Sequence, residues 1–258
     1  TTTLRGLVSQ VIEISTLDHA LHSGMYGGAV PDAMTAMIRL LATLHDSDGN
    51  VNVAGLKHGK ASELNYSDEA LAIDAGLLPG VKQIGSGSIL DRIWVKPSIT
   101  VIGLDAVPVA QSSNTMLPSI KAKISMRIAP GESPIDALNL LRSHLEANLP
   151  FGAKLQYGEV EQGKPFADEN QGWAKELASA SLGAAFGETA VDIGIGGSIP
   201  FIADLIEVFP KAQILVTGVE DPDSRAHSPN ESVHVDTLRS AIVAESLFLY
   251  KGNDLRVN

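Results

Sequence analysis

The sequence predicts an α/β chain in two parts, an α+β sandwich followed by part of a layered α/β domain. Three observations predict it. Residues 120–128 alternate without a break, Ile120, Ala122, Ile124, Met126 and Ile128 against Lys121, Lys123, Ser125 and Arg127, which is the period of a half-buried strand. Apolar residues recur at helical spacing in Met34, Met37, Ile38, Leu41 and Leu44, and again in Leu138, Leu141 and Leu145. Beyond Gly163-Lys164-Pro165-Phe166 the pattern changes to short apolar runs alternating with helices, as in layered α/β proteins.

The 258 residues are 44% hydrophobic and 19% charged, a globular composition long enough to bury a real core. The formal net charge of -11 excludes nucleic acid and anionic membranes as expected partners. With no cysteine there is no disulfide and no thiolate metal site; any metal must be held by histidine and carboxylates. The same absence fits a cytoplasmic protein. No apolar run reaches membrane-spanning length, and residues 1–15 lack a signal-peptide pattern. The chain opens Thr-Thr-Thr-Leu-Arg-Gly-Leu-Val straight into a strand, and is therefore expected to be a piece of a larger protein.

In order, residues 4–16 read as a strand, and a loop rich in glycine and histidine follows at 18–28. Asp32 caps the helix of 33–45. His45-Asp46-Ser47-Asp48-Gly49-Asn50 mimics the start of a calcium loop without its closing glutamate, and reads as a polar turn. A short strand is expected at 51–57 and a helix capped by Ser67 up to about Leu77. A flexible Gly85-Ser86-Gly87-Ser88 loop follows, then strands at 89–94 and 98–104. After the strand of 120–128, Ser133-Pro134 opens the next helix, and residues 154–160 form another strand. This β-α-β-β-α-β order resembles the ferredoxin-like split unit, covering residues 4–162 with an insertion at 48–96. Residues 163–258 are expected to supply a helix at 172–186, a strand at 189–193, a glycine turn, a helix at 200–207, a strand at 213–217 and a helix at 236–250.

Four places carry functional character. His22 sits in the glycine loop, where glycines allow close approach and an imidazole can donate or accept near neutral pH. Arg127 lies on the polar face of its strand, placed beside Thr115 by topology. Ser198 follows Gly196-Gly197 at a helix start. His227 lies in Arg225-Ala226-His227-Ser228-Pro229-Asn230-Glu231. Each has an ordinary reading: a solvated loop histidine, a wet strand face, a helix cap, a plain loop. A serine nucleophile is disfavoured because Pro200 stands where an elbow motif needs glycine.

Together the strings resemble the di-metal peptidase and amidohydrolase family of aminoacylase, carnosinase, carboxypeptidase G and succinyl-diaminopimelate desuccinylase. They are Leu21-His22-Ser23-Gly24 through Gly27-Gly28, Asn114-Thr115-Met116-Leu117-Pro118, Ser125-Met126-Arg127, Gly196-Gly197-Ser198-Ile199-Pro200 and Ala226-His227-Ser228-Pro229-Asn230-Glu231. The histidine loop and the long insertion are most similar to the dipeptidase branch. The resemblance implies a lid and dimerisation domain at 4–162 and the C-terminal half of a catalytic domain at 163–258. It implies that His227 is a metal ligand and that His22 reaches a partner subunit's site to stabilise an oxyanion. It further implies that Arg127 binds a substrate carboxylate, with Thr115 and Ser198 at substrate-binding positions; Thr115 stands one residue closer to Arg127 than in some relatives.

The family also needs a His-x-Asp motif, a bridging Asp and a Glu-Glu pair, and this chain has no His-x-Asp and no Glu-Glu. A catalytic zinc takes about three protein ligands. The expectation is a parent metal-dependent dipeptidase holding two zinc ions. It would act as a homodimer on a small peptide or N-acyl amino acid, and this chain alone would be inactive and metal-free or weakly metal-binding. Two other classes remain open: a non-catalytic dimerisation or binding module, and a deacylase or carbamoyl-amino-acid hydrolase of the same family.

Overall fold

In the computed structural model, which describes residues 1–168, 172–226 and 228–255, a four-stranded antiparallel sheet carries most of the core. The elements are β1 (Thr3–Leu4), β2 (Gly6–Ser15), β3 (Leu21–His22), α1 (Ser23–Tyr26), α2 (Ala33–Ala42), α3 (Asp68–Asp74), β4 (Ser98–Leu104), β5 (Thr115–Met116), β6 (Ser119–Ile128), α4 (Pro134–Ala147), β7 (Lys154–Gly163), β8 (Phe166–Ala167), α5 (Trp173–Phe186), β9 (Gly194–Ile195), α6 (Pro200–Val208) and α7 (Val235–Leu255). The large sheet runs β4-β6-β2-β7, the order of a ferredoxin-like split unit.

Alternation sets this sheet. Even-numbered residues of β2 and β6, among them Val8, Ile12, Ile124, Met126 and Ile128, are buried under α2 and α4. Met37 and Leu40 of α2 and Leu141 and Leu145 of α4 complete that layer. Each such side chain contributes about 1.5–3 kcal/mol by leaving water. The helices start where a side chain satisfies a free backbone N–H: Asp32 accepts from Thr35, Ser67 from Ala70 and Ser133 from Asp136. Odd-numbered residues face away from the helices, and Arg127 is one of them.

The β2–β7 pairing carries a bulge between Gln10 and Ile12. Gln10, fully buried, fills it: Nε2 donates to the carbonyls of Gly158 and Glu159 at 3.1 and 3.3 Å, and Oε1 accepts from Arg142 at 2.6 and 3.0 Å. A polar side chain inside the core is thereby fully used.

The second sheet is small, with β1 at its centre between antiparallel β8 and parallel β9. Its core is Leu4, Phe166 and Ile202, with Ile206, Ile214 and Val216 against it. A single residue, Arg5, separates β1 from β2 and so joins the two sheets. Along α5, α6 and α7 many large apolar side chains stay exposed, including Phe201, Val208, Ile242 and Leu249.

Four expected strands take other forms. Residues 51–57 make only one bridge, Val51 to His45. Residues 91–95 form a π-helical turn, and the Arg92 and Lys96 carbonyls accept from the Arg5 guanidinium. Residues 189–193 are not a strand; the pairing with β1 falls one step later, at β9. Residues 213–217 find no ladder partner among the described residues, and Val216 instead accepts from the Thr1 ammonium at 2.8 Å. The turn at Asp46 behaves as expected: its Oδ1 accepts from the amides of Asp48 and Asn50, both at 2.9 Å.

Candidate active site

Two polar clusters stand at opposite ends of β2 and β6. The ten residues of β6 separate them by about 30 Å.

At one end is His22. β2 closes beside the start of β6 at Ser15–Ser119, and Thr16 and Leu17 hang on the Pro118 carbonyl. The chain then pairs β3 with β5, placing His22 directly opposite Thr115. His22 caps α1, its Nδ1 accepting from the Gly24 amide at 3.1 Å. That bond uses the Nδ1 lone pair and leaves the neutral ring's proton on Nε2, at an exposed donor. A Cβ at Gly27 would sit 2.3 Å from the Ser23 carbonyl, and Gly28 has φ +89°, so this turn needs both glycines. Thr115 Oγ1 bonds Ser113 Oγ at 2.8 Å. His19, the other histidine of this loop, is exposed and paired with Asp18.

At the other end is Arg127, flanked in register by Leu7 and Ser98. Its Nη1 donates to Ser198 Oγ at 2.9 Å, and Ser198 Oγ donates to the Arg5 carbonyl at 2.6 Å. The structure thus joins Arg127 to Ser198. It separates Arg127 from Thr115, which corrects the expected neighbourhood: the strand between them carries Thr115 to the His22 end. His227 lies outside the described residues.

Sequence reasoning missed Arg5. The residue is 9% exposed, and its guanidinium donates to Gly196 O at 3.1 Å, Ser98 Oγ at 3.0 Å, Lys96 O at 3.2 Å and Arg92 O at 3.4 Å. Burial first, and then repulsion from Arg127, pull its pKa down to about 10. A Cβ at Gly196 would stand 2.5 Å from Ile93 O and 2.6 Å from Arg5 Nη2, so the glycine turn is shaped to admit this guanidinium. The available signal was a charged residue interrupting the apolar run Leu4-Arg5-Gly6-Leu7-Val8.

Among the described residues no carboxylate pairs with Arg5 or Arg127. Apart from the bond to Ser198, the Arg127 N–H groups have no acceptor there. A guanidinium fork in this condition suits a carboxylate. Among the described residues no group of three or more histidine, aspartate or glutamate side chains could hold a metal ion. These residues therefore do not make a zinc site.

The fold is that of known peptidase structures. The dipeptidase Dug1p from Saccharomyces cerevisiae superimposes with a TM-score of 0.82 at 21% identity, over 96% of this chain and 55% of that one. Human carnosine dipeptidase 1 gives 0.79 at 20% identity, over the same shares. Residues 2–153 match the peptidase dimerisation domain, and the chain belongs to that family. A cysteinylglycine-S-conjugate dipeptidase from Corynebacterium striatum is 32% identical over 253 residues, 96% of this chain and 56% of that protein. The chain spans about half the length of the curated relatives it matches. The resemblance read from the five strings is thus the correct family. No helix among the described residues is long and apolar enough to cross a membrane.

Proposed function

We propose that this chain forms part of a metal-dependent dipeptidase or related amidohydrolase that cleaves a peptide or amide bond next to a free carboxylate. The observation that carries the reading is Arg127, a guanidinium oriented by Ser198 and, among the described residues, with free donors and no carboxylate partner. In this reading Arg127 anchors the substrate carboxylate, and Ser198 fixes the direction of the fork. His22 offers its Nε2–H to the oxyanion that develops at the scissile carbonyl, with Thr115 beside it on the substrate side.

His22 cannot do this within one protomer, about 30 Å away along β6. A homodimer resolves the distance. β4 is a free edge without a charged residue, with Val101, Ile102 and Leu104 exposed. The opposite edge, β7, carries Lys154, Glu159 and Glu161, the usual guard against pairing. Two β4 edges joined about a two-fold axis perpendicular to the sheet run antiparallel. Ser98 lies at the Arg127 end of β4 and Leu104 towards the His22 end. Antiparallel pairing therefore sets the His22 end of one protomer beside the Arg127 end of its partner.

A metal, zinc by family and two ions in the complete protein, would supply the activated water. From this chain, the resemblance makes His227 one of the ligands that would hold it. Residues 163–258 are read as half of a catalytic domain, supported by two-residue strands and exposed apolar helices. Alone, the chain is expected to bind zinc weakly or not at all and to be inactive. A cytoplasmic location fits the absence of cysteine.

The test is binding. Glycylglycine and its amide are titrated into the isotope-labelled chain, following the amide signals of Ile128, Gly196 and Gly197. The wild type should prefer the carboxylate, and Arg127→Met should abolish that preference; an unchanged preference would refute the anchor. A second reading is a dimerisation or binding module without catalysis, favoured by the match of residues 2–153 to the peptidase dimerisation domain. Hydrolysis by the full-length protein with added zinc separates the two, and N-acyl and N-carbamoyl substrates in the same assay identify a deacylase or carbamoyl-amino-acid hydrolase.

A further inference from the structure

Arg5 has more hydrogen bonds than a strand linker needs. Its guanidinium ties three segments distant in sequence: the π-helical turn through Arg92 O and Lys96 O, the start of β4 through Ser98 Oγ, and the glycine turn through Gly196 O. Its own carbonyl accepts the Ser198 hydroxyl proton. That commitment turns a Ser198 lone pair toward Arg127 Nη1, so the rotamer of Arg127 depends on the placement of the Arg5 backbone.

Charge is the second half of the argument. Burying a cation is unfavourable unless it is paired, and carboxylates are the usual partners. Here backbone carbonyls and one hydroxyl are the only acceptors among the described residues, and the nearby charge is another guanidinium. Two cations side by side without a counter-ion repel each other. An entering carboxylate removes that repulsion as well as meeting the Arg127 fork, so the pair binds an anion better than Arg127 alone.

We propose that Arg5 is a positioning residue for the carboxylate subsite, holding Ser198 and Arg127 in place and adding a buried positive charge behind them. This rests on the carboxylate reading of Arg127 given above. Neutral ligands of the same shape gain nothing from the charge, so Arg5 contributes to discrimination between a dipeptide and its amide and not only to folding.

The experiment is the same titration, glycylglycine against glycylglycinamide, on the wild-type chain and on Arg5→Met, Arg5→Lys and Arg127→Met, with thermal unfolding of each. Arg5→Met should reduce the carboxylate preference at least fivefold. Arg5→Lys keeps a cation without the fork and should recover part of it; it also carries the test if Arg5→Met does not fold. A preference lost in Arg127→Met but unchanged in the folded Arg5 variants overturns this proposal and leaves the anchor standing. The same holds if the Arg5 variants lose thermal stability with the preference intact. A wild type without any preference overturns both.

Discussion

Ser198 serves two arginines with one hydroxyl, and its geometry depends on a residue that has no side chain. Gly196→Ala would put a Cβ 2.5 Å from a carbonyl and 2.6 Å from Arg5 Nη2. The variant should lose about 1–3 kcal/mol in urea unfolding, with loss of carboxylate preference in the same samples. His144 gives a pH signature. Burial lowers its pKa, with its contact to Thr43 partly offsetting this. Between the folded and the higher unfolded pKa the unfolded chain binds more protons, so stability rises with pH there. The contribution is complete above about pH 6.5 and is lost as pH falls toward the folded value. Urea midpoints at pH 7.5 and 5.5 should differ less in His144→Gln than in wild type. At this scale much was legible: Asp32, Ser67 and Ser133 cap the helices they were expected to cap. Arg5 was not, because its acceptors lie up to 191 positions away in sequence.

Among the elements, the long alternating and amphipathic ones were the readable ones. β2, β6, α2 and α4 declare their buried faces through four or more residues each, and the sheet order follows from them. Short apolar runs did not. Residues 51–57, 89–94, 189–193 and 213–217 fit a strand or a turn equally well by composition, and tertiary partners decided between them. Residues 91–95 make a π-helical turn bonded to the Arg5 guanidinium, and β1 pairs with Gly194–Ile195 rather than with the residues before them. The same edge reasoning is the ground for proposing β4 as the dimer strand. Ile102→Lys places a charge on that edge, and light scattering should then give a monomer near 27.1 kDa where wild type gives twice that mass.

At the scale of the whole molecule, Arg5 joins the three-stranded sheet to the four-stranded one, and the proposed chemistry is divided between the far ends of the latter. The strings around His22, Thr115, Arg127 and Ser198 identified the family, but the topology expected from the sequence placed Thr115 beside Arg127. Strand pairing sets Thr115 opposite His22, and under the proposed function this division calls for a second protomer. The most direct test uses the absence of cysteine. A spin label is attached at Met25→Cys, an exposed site three residues from His22, and the labelled protein is mixed with isotope-labelled wild type. Any broadening in the isotope-labelled chain is then between protomers. The account predicts broadening at Ile128 and at Gly196 to Ser198. Broadening absent from those residues while the dimer is present would contradict it.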